Sequence, residues 1–137
     1  RLGTAIATRL NEQGVRVMGD DFNPSATKYW GQLGLHTANG DVTDAEFISE
    51  LPLRQAKWIV STIPHHHTGV SFEDTSRTIV QLLKMTDFSG QLAVVSQTKL
   101  EAEELSLLGV NLILEPFQDA ADRATELLLE GLDHQAV

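Results

Sequence analysis

Hydrophobic and polar positions change period repeatedly along this chain, and the changes mark out alternating helices and strands. Ile6 and Leu10, with the small residues Ala5 and Ala7, recur at helical spacing, and Gly14 follows Asn11-Glu12-Gln13 as a stop signal, so residues 3–13 are expected to be helical. Val15-Arg16-Val17-Met18 then reads as a strand ending at Gly19-Asp20-Asp21. Asn23-Pro24 supplies an N-cap and a first-turn proline for a helix carrying Tyr29, Trp30 and Leu33, which stops at Gly34. Leu35 to Ala38 form a short strand broken at Asn39-Gly40-Asp41, and Thr43 or Asp44 caps a helix containing Phe47, Ile48 and Leu51.

Trp58-Ile59-Val60-Ser61-Thr62-Ile63 is a continuous apolar and β-branched run ended by Pro64. It suits a central parallel strand buried on both faces better than an edge strand. The next helix carries Thr78 to Leu83 and stops near Ser89-Gly90. Leu92 to Val95 form another buried strand, residues 99–108 a short helix, Asn111 to Leu114 a further strand, and residues 118–131 a final amphipathic helix. The order αβαβαβαβαβα is that of an open, doubly wound parallel α/β sheet of Rossmann-like type, three layers αβα, in one domain spanning residues 1–137. Such a sheet begins with a strand, whereas this chain begins with a helix. Arg1-Leu2-Gly3 carries neither an initiator Met nor a signal-peptide pattern. The expectation is a piece of a longer protein that lacks the first strand and the first two glycines of the loop after it.

Composition narrows the chemistry. The 137 residues match one domain and are too few for a cofactor domain joined to a substrate domain. The absence of cysteine removes thiol catalysis, thiolate metal sites and a disulfide framework. Ten Lys plus Arg against nineteen Asp plus Glu give a formal charge of −9, with no long basic run, which disfavours nucleic-acid polymers and anionic lipid. No apolar stretch approaches the roughly 20 residues needed to cross a bilayer, so direct membrane insertion of this segment is not expected.

Three constellations could carry chemistry. Gly3 opens a helix and Asp21 ends the following strand. In a dinucleotide fold the last loop glycine lets helix and strand pack closely, and an acidic residue about 20 positions on accepts from a ribose hydroxyl. Separately, each is an ordinary helix-start glycine and turn residue. Asp20 is an alternative to Asp21 for the ribose role. Gly40-Asp41-Val42-Thr43 places Asp41 at a strand end beside an adenine pocket, or makes it an Asx-turn or N-cap. Ser61 and Thr62 close the central strand at the carboxyl edge where such sheets bind ligands; simple termination at Pro64 is the plainer reading.

Arg1-Leu2-Gly3-Thr4-Ala5-Ile6-Ala7, Asp21-Phe22-Asn23-Pro24 and Gly40-Asp41-Val42-Thr43-Asp44, in that order, resemble the RCK (KTN, or Trk N-terminal-type) domain over residues 1–115. That family's pattern runs G-x-G-R-x-G, D-x-[DN]-P and G-D-[AV]-[ST]. The resemblance implies a regulatory module on the cytoplasmic face of the membrane, belonging to a potassium channel, a potassium uptake system or a Kef-type cation/proton antiporter. It further implies NAD(H), AMP, ADP or ATP as an effector held without turnover, a transport domain in the parent protein as partner, and a homodimer formed through the late helices. Carried over, Arg1 and Gly3 belong to the phosphate loop, Asp21 binds the adenosine ribose with Asn23 at its edge, and Asp41 faces the adenine. Asp20 stands where the family usually has an apolar residue.

Other features are weighed against this. His65-His66-His67 invites a metal reading, but adjacent side chains diverge in most backbones, and a polar or anion-facing loop is the expectation; no metal site is expected. A nicotinamide-dependent oxidoreductase is the alternative function. A Tyr-x-x-x-Lys pair would serve that chemistry, yet Leu33 stands four positions after the single Tyr29, and no catalytic residue is expected. Glu101, Glu103, Glu104, Asp119, Asp122, Glu126 and Glu130 read as solvated helix faces. Leu127, Leu128, Leu129 and Leu132 give the last helix more apolar surface than one sheet face needs, for pairing with a second copy or for docking back on its own domain.

Overall fold

A computed structural model describes residues 2–21, 23–63 and 72–136. Arg1 and the histidine run His65-His66-His67 lie outside them. The chain opens with α1 (Leu2–Glu12), followed by β1 (Met18–Asp21), α2 (Pro24–Gln32), β2 (His36–Asn39) and α3 (Ala45–Glu50). A single 3-10 turn at Leu53–Gln55 leads into β3 (Trp58–Ser61). Then come α4 (Phe72–Lys84), β4 (Gln91–Val95), α5 (Lys99–Leu107), β5 (Leu112–Leu114) and α6 (Pro116–Ala136). Strands alternate with helices and every strand pair is parallel, as the hydrophobic pattern predicts.

Local chemistry sets the helix boundaries. The Asn23 side chain accepts from the Ser25 N–H and Pro24 occupies the first turn of α2; of the two residues offered for α3, Asp44 is the cap, accepting from the Glu46 N–H. Thr98 caps α5 through the Glu101 N–H. Gly14, Gly34 and Gly109 each close a helix at positive φ (82°, 82° and 96°), a conformation that costs glycine little.

The strands fall into two parallel groups among the described residues. β1 pairs with β2, Met18 opposite His36 through Asp21 opposite Asn39; β3, β4 and β5 form the other group with β4 in the middle. Two expectations are corrected here. The first strand begins at Met18, not Val15, because its partner starts only at His36 and a strand exists where its ladder does. β3 is not buried on both faces: β4 pairs with one side only, and Trp58 and Val60 remain 47% and 40% exposed. The buried central strand is instead β4, whose Leu92 to Val95 are all buried after an exposed Gln91.

The core sits around β4. Ile48, Ile79, Val80, Leu83, Leu92, Val94, Leu105 and Val110 form one buried cluster, contributed by α3, α4, α5 and the strands between them. Among the described residues, the β1–β2 half adds only Leu35 to the buried hydrophobic set. That half is held by closer fits. A Cβ on Gly19 would run into the indole of Trp30, and one on Gly40 into the ring of Phe47, so both glycines let a large ring lie directly on the backbone.

Candidate functional site

In a parallel sheet all strands end at one edge, and the candidate residues collect at such carboxyl ends. Asp21 ends β1. Its Oδ1 accepts from the Asn23 N–H at 2.8 Å, which turns the chain from strand to helix. Asn39, at the end of β2, donates from Nδ2 to the Asp21 carbonyl at 2.9 Å, and the Gly40 N–H donates to the same carbonyl at 3.2 Å. The ends of β1 and β2 are therefore clasped together, with the Asp21 carboxylate at their mouth. The family pattern did not single out Asn39; its offset from Gly40-Asp41, immediately after a short strand, was the available signal.

Asp41 follows one residue after Gly40. Its Oδ1 accepts from both the N–H and the Oγ1 hydroxyl of Thr43, at 2.9 and 2.7 Å. Those two bonds favour the charged form and hold the carboxyl below its usual range. This is the Asx-turn alternative for Asp41, and it leaves the carboxylate exposed beside the clasp. Asn23 spends its side-chain oxygen on the α2 cap, at 2.9 Å from the Ser25 N–H.

Asp20 differs from Asp21 in one decisive way. Both of its carboxylate oxygens are buried, and among the described residues no side chain bonds to them. Burial and the neighbouring charges of Asp21 and Asp41 raise its pKa to about 6, against a weaker opposing effect of the Asp21 backbone. A carboxylate withdrawn in this way is poorly placed to accept from a ligand hydroxyl, so the geometry favours Asp21 over Asp20 for that role.

Gly3 and Thr62 meet across the fold. A Cβ on Gly3 would lie 2.5 Å from Thr62 Oγ1, just beyond Ser61 at the end of β3, so glycine is what lets the start of α1 approach that strand end. The next residue, Thr4, accepts from Trp30 Nε1 at 2.8 Å, and Trp30 in turn covers Gly19. One run of contacts thus joins Thr62, the start of α1, α2 and β1. Of the residues expected from sequence, Asp21, Asn23 and Asp41 gather at the β1–β2 edge, and Gly3 and Thr62 meet at the end of β3. Arg1 lies outside the described residues. Among the described residues there is no group of three or more His, Cys, Asp or Glu side chains that could hold a metal ion. Likewise no described helix is long and apolar enough to cross a membrane.

A parallel, alternating α/β chain with an acidic residue at one strand end and a helix-opening glycine packed on another has a Rossmann-like fold. Its family follows from the sequence: residues 1–116 match the TrkA-N domain, and the chain belongs to that family, whose members are the RCK-type domains. It is 26% identical over 123 residues to the Ktr system potassium uptake protein C of Bacillus subtilis (strain 168), covering 90% of this chain and 52% of that protein. The chain thus spans about half the length of the curated relative it matches. Among solved structures it is similar to the NAD(P)-binding domain of an exopolyphosphatase-related protein from Archaeoglobus fulgidus, with TM-score 0.77, 19% identity, and coverage of 95% of this chain and 91% of that one. It is also similar to the GsuK channel bound to NAD, with TM-score 0.67, 16% identity, and coverage of 82% of this chain and 19% of that one; GsuK has also been solved with ADP.

Proposed function

We propose that this domain binds an adenine nucleotide, NAD(H) or AMP, ADP or ATP, as a regulatory effector, and that the bound nucleotide controls a potassium or other cation transporter or a cation/proton antiporter. The observation that carries the reading is the Asp21 clasp. An acidic side chain at the carboxyl end of a parallel strand, held by the Asn23 N–H on a backbone whose carbonyl Asn39 braces, suits acceptance from the hydroxyls of an adenosine ribose. Gly3 against Thr62, with Ser61 beside it, supplies the close helix-to-strand approach that a phosphate group needs at a helix start; Arg1 belongs to the same loop in the family pattern. Asp41 faces the adenine side. Support for an effector of this class also comes from GsuK, which is similar in fold and is known with NAD and with ADP.

The domain acts without turnover in this reading. Binding shifts an equilibrium between two arrangements only by the difference in affinity for them, so the nucleotide must be held better in one. A homodimer would turn that difference into movement of an attached transport domain on the cytoplasmic face of the membrane. Helix α6 supports the dimer: Phe117, Leu127, Leu128, Leu129 and Leu132 are all at least half exposed along it, apolar surface that the described part of its own domain covers only in part.

Calorimetric titration of the protein with NAD, NADH, AMP and ATP tests the proposal. Binding by at least one is expected, weakened about tenfold in Asp21→Ala, the loss of one charge-assisted hydrogen-bond pair to the ribose. A folded protein that binds none of them defeats the reading. Oxidation of NADH with a small carbonyl substrate would instead identify an oxidoreductase cofactor domain.

A further inference from the structure

We propose that Asp20 makes nucleotide binding at the β1–β2 edge proton-coupled, so that the site takes up a proton as it accepts an anionic ligand and holds that ligand more tightly as pH falls. The proposal rests on the nucleotide reading above and adds a regulatory input to it. Three carboxylates lie together there: Asp20 and Asp21 are consecutive at the end of β1, and Asp41 lies just past the end of β2. They are unequal. Asp21 and Asp41 are anchored by hydrogen bonds to the Asn23 N–H and to Thr43, whereas both Asp20 oxygens are buried with no side-chain partner among the described residues, and the Asp21 backbone offsets only part of the cost of that burial. A buried carboxylate with so little donor support, beside two other carboxylates, is costly as the anion and favours the neutral acid.

Among the described residues, the elements packed against β1 bring no compensating charge. On β2 the titratable residue is His36, opposite Met18 and two positions below the Ala38 that faces Asp20; on α2 they are Lys28 and Tyr29. His36, Lys28 and Tyr29 are exposed and none of them acts on Asp20, which feels Asp21 and Asp41 instead. Its carboxyl therefore already titrates close to neutrality, at about 6. A nucleotide seated on Asp21 excludes water from this edge and adds phosphate charge, and both changes disfavour the Asp20 anion further. By linkage, whatever raises the affinity of Asp20 for its proton on binding must raise the affinity for nucleotide on protonation by the same factor.

NAD is the suitable probe, because none of its own groups changes charge between about pH 5.5 and pH 8. The wild-type protein is expected to bind NAD up to about tenfold more tightly at pH 5.5 than at pH 8, with proton uptake visible as a dependence of binding heat on buffer ionisation. Asp20→Asn keeps the shape and removes the titration, and should bind NAD with a flat profile across that range. Asp20→Leu provides a second variant with the same expectation. Wild type and Asp20→Asn binding NAD with the same pH slope overturns the coupling while leaving the nucleotide reading intact. Failure of both proteins, folded, to bind NAD, AMP or ATP at any pH overturns both.

Discussion

Replacing Gly19 by alanine should destabilise the domain by about 2–4 kcal/mol and lower its melting temperature by roughly 10 °C. The added Cβ would lie inside the Trp30 ring, contacting Cε3 and Cζ3, and Gly19 is itself buried in β1. The indole cannot yield without cost, because its Nε1 donates to Thr4 Oγ1 at 2.8 Å. Displacing it loses that bond, worth about 1 kcal/mol, on top of the strain of overpacking. The same displacement releases the start of α1 from α2, so nucleotide affinity should fall along with stability. Gly31→Ala is the matched control. Gly31 lies in the same helix as Trp30, has open space where a Cβ would go and has negative φ, so alanine there should be neutral or stabilising by up to about 1 kcal/mol. Urea denaturation of the two variants, side by side, checks the contrast.

Asp20→Asn is expected to do the opposite and stabilise the ligand-free protein near neutral pH. The native carboxyl titrates at about 6 against an ordinary value of 3.8. An acid whose pKa is raised by folding binds its proton more tightly in the native state, so wild-type stability falls as pH rises from the ordinary value through about 6 and is level beyond it. The full shift corresponds to roughly 3 kcal/mol, which partial exposure of the residue reduces to about 2. Asparagine escapes this cost. Its advantage over wild type should be about 2 kcal/mol at pH 7.5, about half that at pH 5, and vanish in stronger acid. Equal stability of the two proteins at neutral pH would show that the Asp20 oxygens reach solvent or a donor.

The legibility of this molecule in its sequence divides along physical lines. Helix boundaries were readable because they are local: Asn23-Pro24, Asp44 and the positive-φ glycines act within a few residues of themselves. The alternation of helix and strand was readable for the same reason. Strand burial was not, because it depends on what lies alongside. Trp58 to Ile63 has the composition of a central strand, yet β3 ends up with one paired side, and Val15 to Val17 has strand propensity with no ladder to join. At the site, spacing and family pattern pointed to Asp21, Asn23 and Asp41. They could not show that Asn39 braces the first or that Thr43 engages the last, since those bonds are set by side-chain orientation. Asp20 was visible as an alternative to Asp21 and as a departure from the family pattern; the burial of its oxygens is a property of the folded edge.

The lopsided core has a thermodynamic consequence. Eight buried side chains bind α3, α4, α5 and their strands into one cluster, while among the described residues the β1–β2 half contributes Leu35, the Trp30 ring on Gly19 and, against a ring from α3, the close fit of Gly40 on Phe47. Cooperative opening follows buried apolar contact, so the N-terminal half should unlatch at a lower free energy than the remainder, and its amide protons should exchange with solvent well before those of β4. The Asp21 edge belongs to that looser half. A nucleotide bound there would supply cohesion that the side chains do not, and its arrival should be felt less as a change of shape than as a slowing of exchange throughout β1, α2 and β2.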